Sequence, residues 1–399
     1  MSPFQALSPQ PCSGKSILSL SSFCFLLSSS DVMILFPQKC HHTLRMFSSS
    51  TTTNPYLMYR LTHYGSSFDD INVTSNIHYF DPVKEDEVIV RDKAFPMELR
   101  NTSLVGMSHG WGVFNVESDE HKALYVSDYC NPCGSKPNPK VIPLHPMGQP
   151  NITQKRIITN TAMTCSPDQS KDFVVAANCL GLEINFFRPC GKPEYSGSGG
   201  FKTQSHYFDQ SKVMYSKRDE KFYTPSVGGH FLAFWDSCFE EIMTCPKMKE
   251  LRFCNLPELT QSEWELLDSC SPPTAHLAES PSGQRFLIKW YAQNYQPGKI
   301  MTFLCRGTKR FMVFREEEDM NMCYTEDIGD LCIFLGGSEP FSVKASSFPG
   351  LKPNSIYFAG EGFGVYDIAT RKPRSFRPKS PSAFSKTPVF PLWIPPMSL

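Results

Sequence analysis

The residues best suited to chemistry are the adjacent Ser108 and His109, within "SLVGMSHGWGVFNVES" (residues 103–118). A serine next to a histidine suggests nucleophilic catalysis, which also requires an acid partner and an oxyanion site. No second histidine of the chain stands in a recognisable catalytic setting. We therefore expect Ser-His-Gly-Trp to open a β-strand, in which the glycines allow close backbone approach and Trp111 packs between sheets.

A second candidate is Cys130-Asn-Pro-Cys133, which has the spacing of a metal knuckle or a redox pair. A structural zinc site needs a second such pair, and a redox pair needs a helix N-terminus after a strand. Asn131-Pro132 is instead typical of a β-turn. Because the 15 cysteines are odd in number and irregularly spaced, we expect reduced and mostly buried thiols.

The remaining polar motifs predict loops. "SGSGGF" (196–201) and "GEGFG" (360–364) lack the Gly-Lys-Ser/Thr ending of a phosphate-binding loop, so we expect turns. "REEED" (315–319) lacks the spacing of a calcium loop and predicts a solvated acidic loop. We thus predict no catalytic, cofactor-binding or metal-binding residue, no cofactor and no identifiable small-molecule substrate.

The N-terminal segment is informative about the compartment. Residues 1–68 contain a single acidic residue, Asp31, together with several basic residues and many serines and threonines. This composition is typical of an organellar transit peptide. In "LRMFSSS", Arg45, Phe47 and Ser48 resemble a matrix-peptidase site, so we expect cleavage after Phe47 and a disordered leader over residues 1–47. The predicted location is the mitochondrial matrix, with the chloroplast as an alternative.

A secretory signal is the competing interpretation of this segment. "ILSLSSFCFLL" (17–27) is an acceptable apolar region with Lys15 before it. The basic, Ser/Thr-rich character resumes after residue 38, however, and a signal peptide does not need that second half. The apolar run is also broken by serines and Asp31, well short of the roughly 18 apolar residues of a membrane anchor.

Composition and patterning beyond residue 55 predict an all-β fold. Aromatic residues make up 13% of the chain, and 33 prolines and 24 glycines are spread along it. Apolar runs alternate with turn signals at roughly 8 to 12 residues, as in "HLAESPSGQRFLIKWYAQ". A span this long exceeds one sandwich, so we predict a kelch-like β-propeller of about 5–7 blades. "QSEWELLDSC" (261–270) predicts one short helix between blades.

The domain boundaries follow from these elements. We expect a linker and first strands over residues 48–78, a propeller over residues 79–370 and a basic, Pro-rich surface tail over residues 371–399. The tail contains Pro388 and Pro391 in PxxP spacing. Because the net charge is zero, the chain as a whole has no electrostatic attraction to nucleic acid or anionic lipid. We therefore expect neither a nucleic-acid partner nor a membrane anchor.

Several longer segments resemble a plant family, domain of unknown function 295, also described as KIB-type β-propellers. The segments are "LVGMSHGWGVFNV", "MYSKRDEKFYTP", "LPELTQSEWELLDSC", "ESPSGQRFLIKWY" and "FPGLKPNSIYF" followed by "GVYDIAT". The acid-poor leader resembles the organellar crucifer branch of that family. Many relatives begin with an F-box and act as substrate receptors of ubiquitin ligases, whereas here the leader occupies that region. The resemblance implies a fold and a compartment, and no catalytic residues.

Three functions are compatible with these observations. The first is a non-catalytic mitochondrial propeller that acts as a protein-interaction module with an unknown protein partner. The second is a ubiquitin-ligase substrate receptor that has lost its F-box. The third is an enzyme or ligand-binding propeller with an unrecognised site in its channel, since propellers host such sites.

Overall fold

The structure is a computed structural model of the chain, and it describes residues 53–64, 73–116, 124–132, 138–147, 157–179, 183–189, 200–202, 208, 211–236, 246–293, 307–360, 362–376 and 391–396. Arg45, Phe47, Ser48 and Cys133 lie outside the described residues. Within these ranges almost all regular structure is β-strand, which confirms the predicted fold class. No helix of the described residues is long and apolar enough to span a membrane.

The first three blades are antiparallel meanders. Blade 1 contains β1 (Tyr56–Tyr64), β2 (Thr74–Asp81) and β3 (Asp86–Ala94). Blade 2 contains β4 (Thr102–Ser108), β5 (Trp111–Val116), β6 (Leu124–Ser127) and β7 (Val141–Pro146). Blade 3 contains β8 (Ile158–Met163), β9 (Val175–Cys179), β10 (Glu183–Pro189) and β11 (Gly200–Lys202). Pairing of β7 with β10 joins blades 2 and 3 into one eight-stranded sheet.

Blade 4 is a further antiparallel meander, whereas blades 5 and 6 each contain one parallel pair of strands. Blade 4 contains β12 (Met214–Ser216), β13 (Lys221–Pro225), β14 (Phe231–Asp236) and β15 (Lys247–Glu250). Blade 5 contains β17 (Thr274–Glu279), β18 (Arg285–Ala292), β19 (Thr308–Glu316) and β20 (Asn321–Thr325), with β16 (Arg252–Cys254) added in parallel to β20. Blade 6 contains β21 (Leu331–Leu335), β22 (Phe341–Lys344), β23 (Ser355–Gly360), β24 (Gly362–Asp367) and β25 (Lys372–Ser375), in which β21 and β23 are parallel.

The blades close into a ring through the end of the chain. β26 (Leu392–Ile394) pairs with β1 and completes blade 1. The Trp393 backbone N–H donates to Ser338 Oγ at 3.1 Å, and its indole N–H donates to the Leu335 carbonyl at 3.1 Å, so this strand also contacts blade 6. Part of the predicted surface tail is therefore a buried strand of the propeller.

Six buried hydrophobic clusters among the described residues indicate a ring of six blades. Each cluster draws its side chains from two neighbouring blades, and the six pairs run from blades 1 and 2 around to blades 6 and 1. In β1, Tyr56 and Met58 face blade 2 while Leu57 and Tyr59 face blade 6. This alternation follows from the two-residue period of a strand that is buried on both faces.

The predicted helix is present as α1 (Gln261–Asp268), between β16 and β17. It begins at Thr260, whose side chain accepts from the Glu263 backbone N–H, while the Glu263 carboxylate accepts from the Thr260 backbone N–H at 2.9 Å. This reciprocal capping box satisfies two otherwise unpaired backbone donors. α1 is the only α-helix among the described residues.

The expectation of uniformly reduced cysteines is wrong at one pair. Cys254 of β16 and Cys323 of β20 occupy directly paired positions, with their Cα atoms 4.6 Å apart, and form a disulfide. The two cysteines are brought together by the register of neighbouring strands. Because they are 69 residues apart in the sequence, their spacing does not indicate the disulfide. The other described cysteines are thiols and mostly buried, as expected: Cys130, Cys165, Cys179, Cys270 and Cys332.

Candidate functional site

The Ser-His motif forms a tight hairpin turn. Ser108 is the last residue of β4 and pairs with Trp111, the first residue of β5, so the strand opens at Trp111 and not at the serine. His109 and Gly110 have φ angles of 49° and 76°. Two consecutive positive φ values are those of a two-residue hairpin turn of the type that suits the strand twist. Trp111 lies fully buried between blades 2 and 3, as predicted.

The five residues Gly106–Gly110 also have the Gly-x-Ser-x-Gly spacing of a nucleophile elbow. That motif requires a strand followed by a sharp turn into a helix. Here the chain returns as the antiparallel strand β5. The His109 ring Nε2 lies 3.2 Å from the Met163 carbonyl oxygen, and the Ser108 hydroxyl donates to a carboxylate instead of the imidazole. The serine–histidine hydrogen bond of an activated nucleophile is thus not formed.

The carboxylate that binds Ser108 belongs to Glu339, in the turn between β21 and β22. Glu339 Oε2 accepts from the Ser108 hydroxyl, and Oε1 accepts from the Tyr215 backbone N–H at 2.7 Å. The Glu339 backbone N–H donates to the Met107 carbonyl at 3.0 Å. Blades 2 and 4, which supply these partners, are not ring neighbours of blade 6. A side chain that contacts both must therefore lie near the centre of the ring.

Burial shapes the titration of this central site. It raises the pKa of Glu339 to about 7, although hydrogen bonds from Ser108 and from backbone amides favour the charged form. Burial also lowers the pKa of His109 to about 4, with a further contribution from the charge of Lys217. Ser108 Oγ additionally accepts from the Met163 backbone N–H at 3.2 Å. The arrangement joins blades 2, 3, 4 and 6 through one carboxylate.

Sequence reasoning missed Glu339. It stands in "GGSEP", a hairpin turn that shows no distinguishing spacing. The contacts with Ser108 and Tyr215 span 231 and 124 residues of sequence. Only the closure of the ring brings them together.

A second polar cluster links blades 4 and 5 around the fully buried Arg285. Its guanidinium donates to Asp219 at 2.8 Å and to Glu316 at 2.5 Å, and it lies 4.1 Å above the centre of the Tyr223 ring. Arg218 donates to Glu316 at 2.8 Å, and its hydrogen bonds to Asp219 hold the pKa of that carboxyl well below its usual range. The cluster is an ion-pair network.

This cluster corrects the prediction of a solvated loop for "REEED" at Glu316, whereas Glu317 and Glu318 are exposed as expected. Glu316 is 7% exposed and ends strand β19, so it belongs to a buried ion pair and not to a solvated loop. An open cleft of about 540 Å³ lies at the network. It is lined by Arg218, Asp219, Lys221, Tyr223, Lys249, Glu316, Glu317 and Met320.

Exposed apolar side chains are concentrated in one segment. Of the seven large hydrophobic residues exposed among the described residues, four lie within residues 246–270, which we name the docking segment: Met248, Leu256, Trp264 and Leu266. The segment starts at β15 of blade 4, passes through β16 and ends after α1. Trp264 is 41% exposed. A tryptophan exposed on a fixed helix is typical of the anchors of protein interfaces.

The docking segment is held firmly under this surface. Leu267 is buried among blade 5 side chains. Glu263 accepts from Arg310 at 2.7 Å and from Arg371 at 3.3 Å, so α1 is connected to blades 5 and 6. Hydrogen bonds from Thr260 and Arg310 lower the pKa of Glu263 to about 2. The exposed side chains of α1 are therefore presented by a positioned helix.

The other predicted motifs have the following positions. Cys130 is fully buried, and burial raises the pKa of its thiol to about 12; the Asn131 N–H donates to the Asp128 carbonyl at 3.0 Å in a turn. Gly360 and Gly362 border the hairpin between β23 and β24. Gly200 and Phe201 begin β11.

In the part of the chain that the structure describes, no three His, Cys, Asp or Glu side chains are grouped to hold a metal ion.

The matching family model is the KIB1-4 beta-propeller, over residues 80–375. The match covers most of the chain and agrees with the six-bladed ring, so the chain belongs to this family of β-propellers. No curated protein matches the chain.

Several solved structures are similar to the chain at low identity. A Bacteroides thetaiotaomicron protein of unknown function is 9% identical to this chain, with a TM-score of 0.29. The match covers 65% of this chain and 55% of the Bacteroides protein. The Pseudomonas aeruginosa periplasmic gluconolactonase is 10% identical with a TM-score of 0.31, covering 68% and 81%. Kluyveromyces lactis Hsv2 is 10% identical with a TM-score of 0.26, covering 66% and 83%. At these values the similarities carry no argument about activity.

Proposed function

We propose that this chain is a non-catalytic interaction module of the mitochondrion, which binds a protein partner through the docking segment. The observation that carries the proposal is the exposed Trp264 on α1, a helix held by a capping box and by the ion pairs of Glu263. Binding to a fixed helix orders few side chains, so less of the interaction energy is lost to conformational entropy. The acid-poor leader with Arg45, Phe47 and Ser48 supports the compartment.

The test is co-purification of a C-terminally tagged chain from native tissue, carried out in parallel with two variants. Trp264→Ala removes the proposed anchor, and we expect recovery of the partner to fall by about tenfold or more, as for an interface hot spot. Met97→Ala is the matched control, because Met97 is also an exposed apolar side chain, 60% exposed, but lies outside the docking segment. Recovery should be unchanged in this control.

The same preparation reports the compartment. A first residue near Ser48 with organelle proteins attached supports the mitochondrial assignment. Equal recovery from Trp264→Ala and the wild type would exclude the docking segment as the interface. A full-length chain that carries a cullin adaptor would replace the proposal with the ubiquitin-receptor function.

A further inference from the structure

β16 is the least supported strand of the docking segment. It has three residues, Arg252–Cys254, and lies outside the antiparallel meander of blade 5 as a parallel addition to β20. A short parallel ladder is a weak attachment. The last paired position of the ladder is the Cys254–Cys323 disulfide, and both cysteines are only half-buried.

β16 also covers an unusual lysine. Lys289 of β18 is only 8% exposed, and its ammonium lies 4.1 Å from the centre of the Phe253 ring and 5.4 Å from that of Phe314. Within the described residues its partners are these rings, with no ion pair to a carboxylate. Burial lowers the pKa of Lys289 to about 8. Phe253 is adjacent to Cys254, so displacement of β16 would uncover the amine.

We propose that the Cys254–Cys323 disulfide is a redox latch on the docking segment: a dithiol reductant opens it, β16 separates from β20, and Lys289 becomes accessible. One reductant thiolate attacks a sulfur of the disulfide and forms a mixed disulfide, which the second reductant thiol resolves. The protein gains two thiols with two protons, and the reductant becomes a disulfide. The effect of the latch on partner binding rests on the proposed function, whereas the release of β16 is independent of it.

The latch can be measured on the full chain without a partner. We would compare oxidised protein with protein treated with dithiothreitol, by amide hydrogen exchange and by labelling lysines with an acetyl N-hydroxysuccinimide ester. Reduction should accelerate exchange over residues 252–260 and labelling of Lys289 by about tenfold or more, as for release of a local unit. The exposed Lys372 of β25 is the control and should label equally in both states.

Two variants define the outcomes. Cys254→Ser should behave like the reduced protein under both conditions, whereas Cys270→Ser, which removes a free buried cysteine, should still respond to dithiothreitol. Unchanged exchange and labelling on reduction, or free thiols at both positions in the untreated protein, would overturn the latch. The proposed function is tested independently of the latch, and it would be overturned if the Trp264→Ala variant still bound its partner. A working latch should also lower partner recovery after reduction.

Discussion

At the scale of single residues, Ser108 and Trp111 contribute to the fold in two different ways, although they face each other in one hairpin. Ser108 connects the turn to Glu339 and to the Met163 backbone. Trp111 fills the space between blades 2 and 3 on the other strand of the hairpin. The hydroxyl of Ser108 thus links blade 2 to blades 3 and 6.

Trp111→Ala tests the packing contribution. The side chain is fully buried, so truncation should leave a cavity and lower the free energy of unfolding by about 3–5 kcal/mol. The matched control is Trp264→Ala, which makes the same chemical change at a side chain that is 41% exposed and should cost less than about 1 kcal/mol. Urea denaturation of both variants measures the difference. Similar midpoints for the two would contradict the burial of Trp111.

At the scale of elements, the strands and turns were predictable where local signals are strong. Ser282-Gly283 marks the hairpin between β17 and β18, and Thr260 with Glu263 marks the start of α1. Such signals act within a few residues. The parallel pairing of β16 with β20, the Cys254–Cys323 disulfide and the position of Glu339 depend on partners far along the chain, and local patterns do not encode them.

The ring closure by β26 gives a prediction at this scale. Deletion of residues 391–399 removes the strand that pairs with β1, and with it Trp393, which is fully buried between blades 6 and 1. The exposed edge of β1 and the emptied cluster should lower the thermal midpoint by about 5 °C or more, since about 1 kcal/mol shifts the midpoint by roughly 1–2 °C in a domain of more than 250 residues. Calorimetry measures this shift. A synthetic peptide of residues 391–399 should restore part of it, and an unchanged midpoint in the deletion variant would contradict the closure.

At the scale of the whole molecule, the free energy of unfolding depends on pH through buried groups whose contributions change in opposite directions. Burial lowers the pKa of His78 to about 4 and of His276 to about 3. These histidines are neutral in the folded protein, so their contribution is present above their ordinary pKa of 6.5 and is lost as the pH falls toward 4. The raised pKa of Glu339 acts in the opposite direction. Its contribution is present below its ordinary pKa of 4.5 and is lost as the pH rises through 7.

Glu339→Gln separates the two effects, because glutamine preserves the size of the side chain and one of its two acceptor oxygens but does not titrate. Relative to this variant, the wild type should gain stability as the pH falls from about 8 to 4.5, by roughly 3 kcal/mol at about 1.4 kcal/mol for each pKa unit. Both proteins should lose stability to histidine protonation over the same range, so the difference between them isolates the carboxyl. Urea denaturation at several pH values gives this difference. A constant difference across pH 4.5 to 8 would mean that Glu339 titrates normally and is hydrated, which would contradict its place at the centre of the ring.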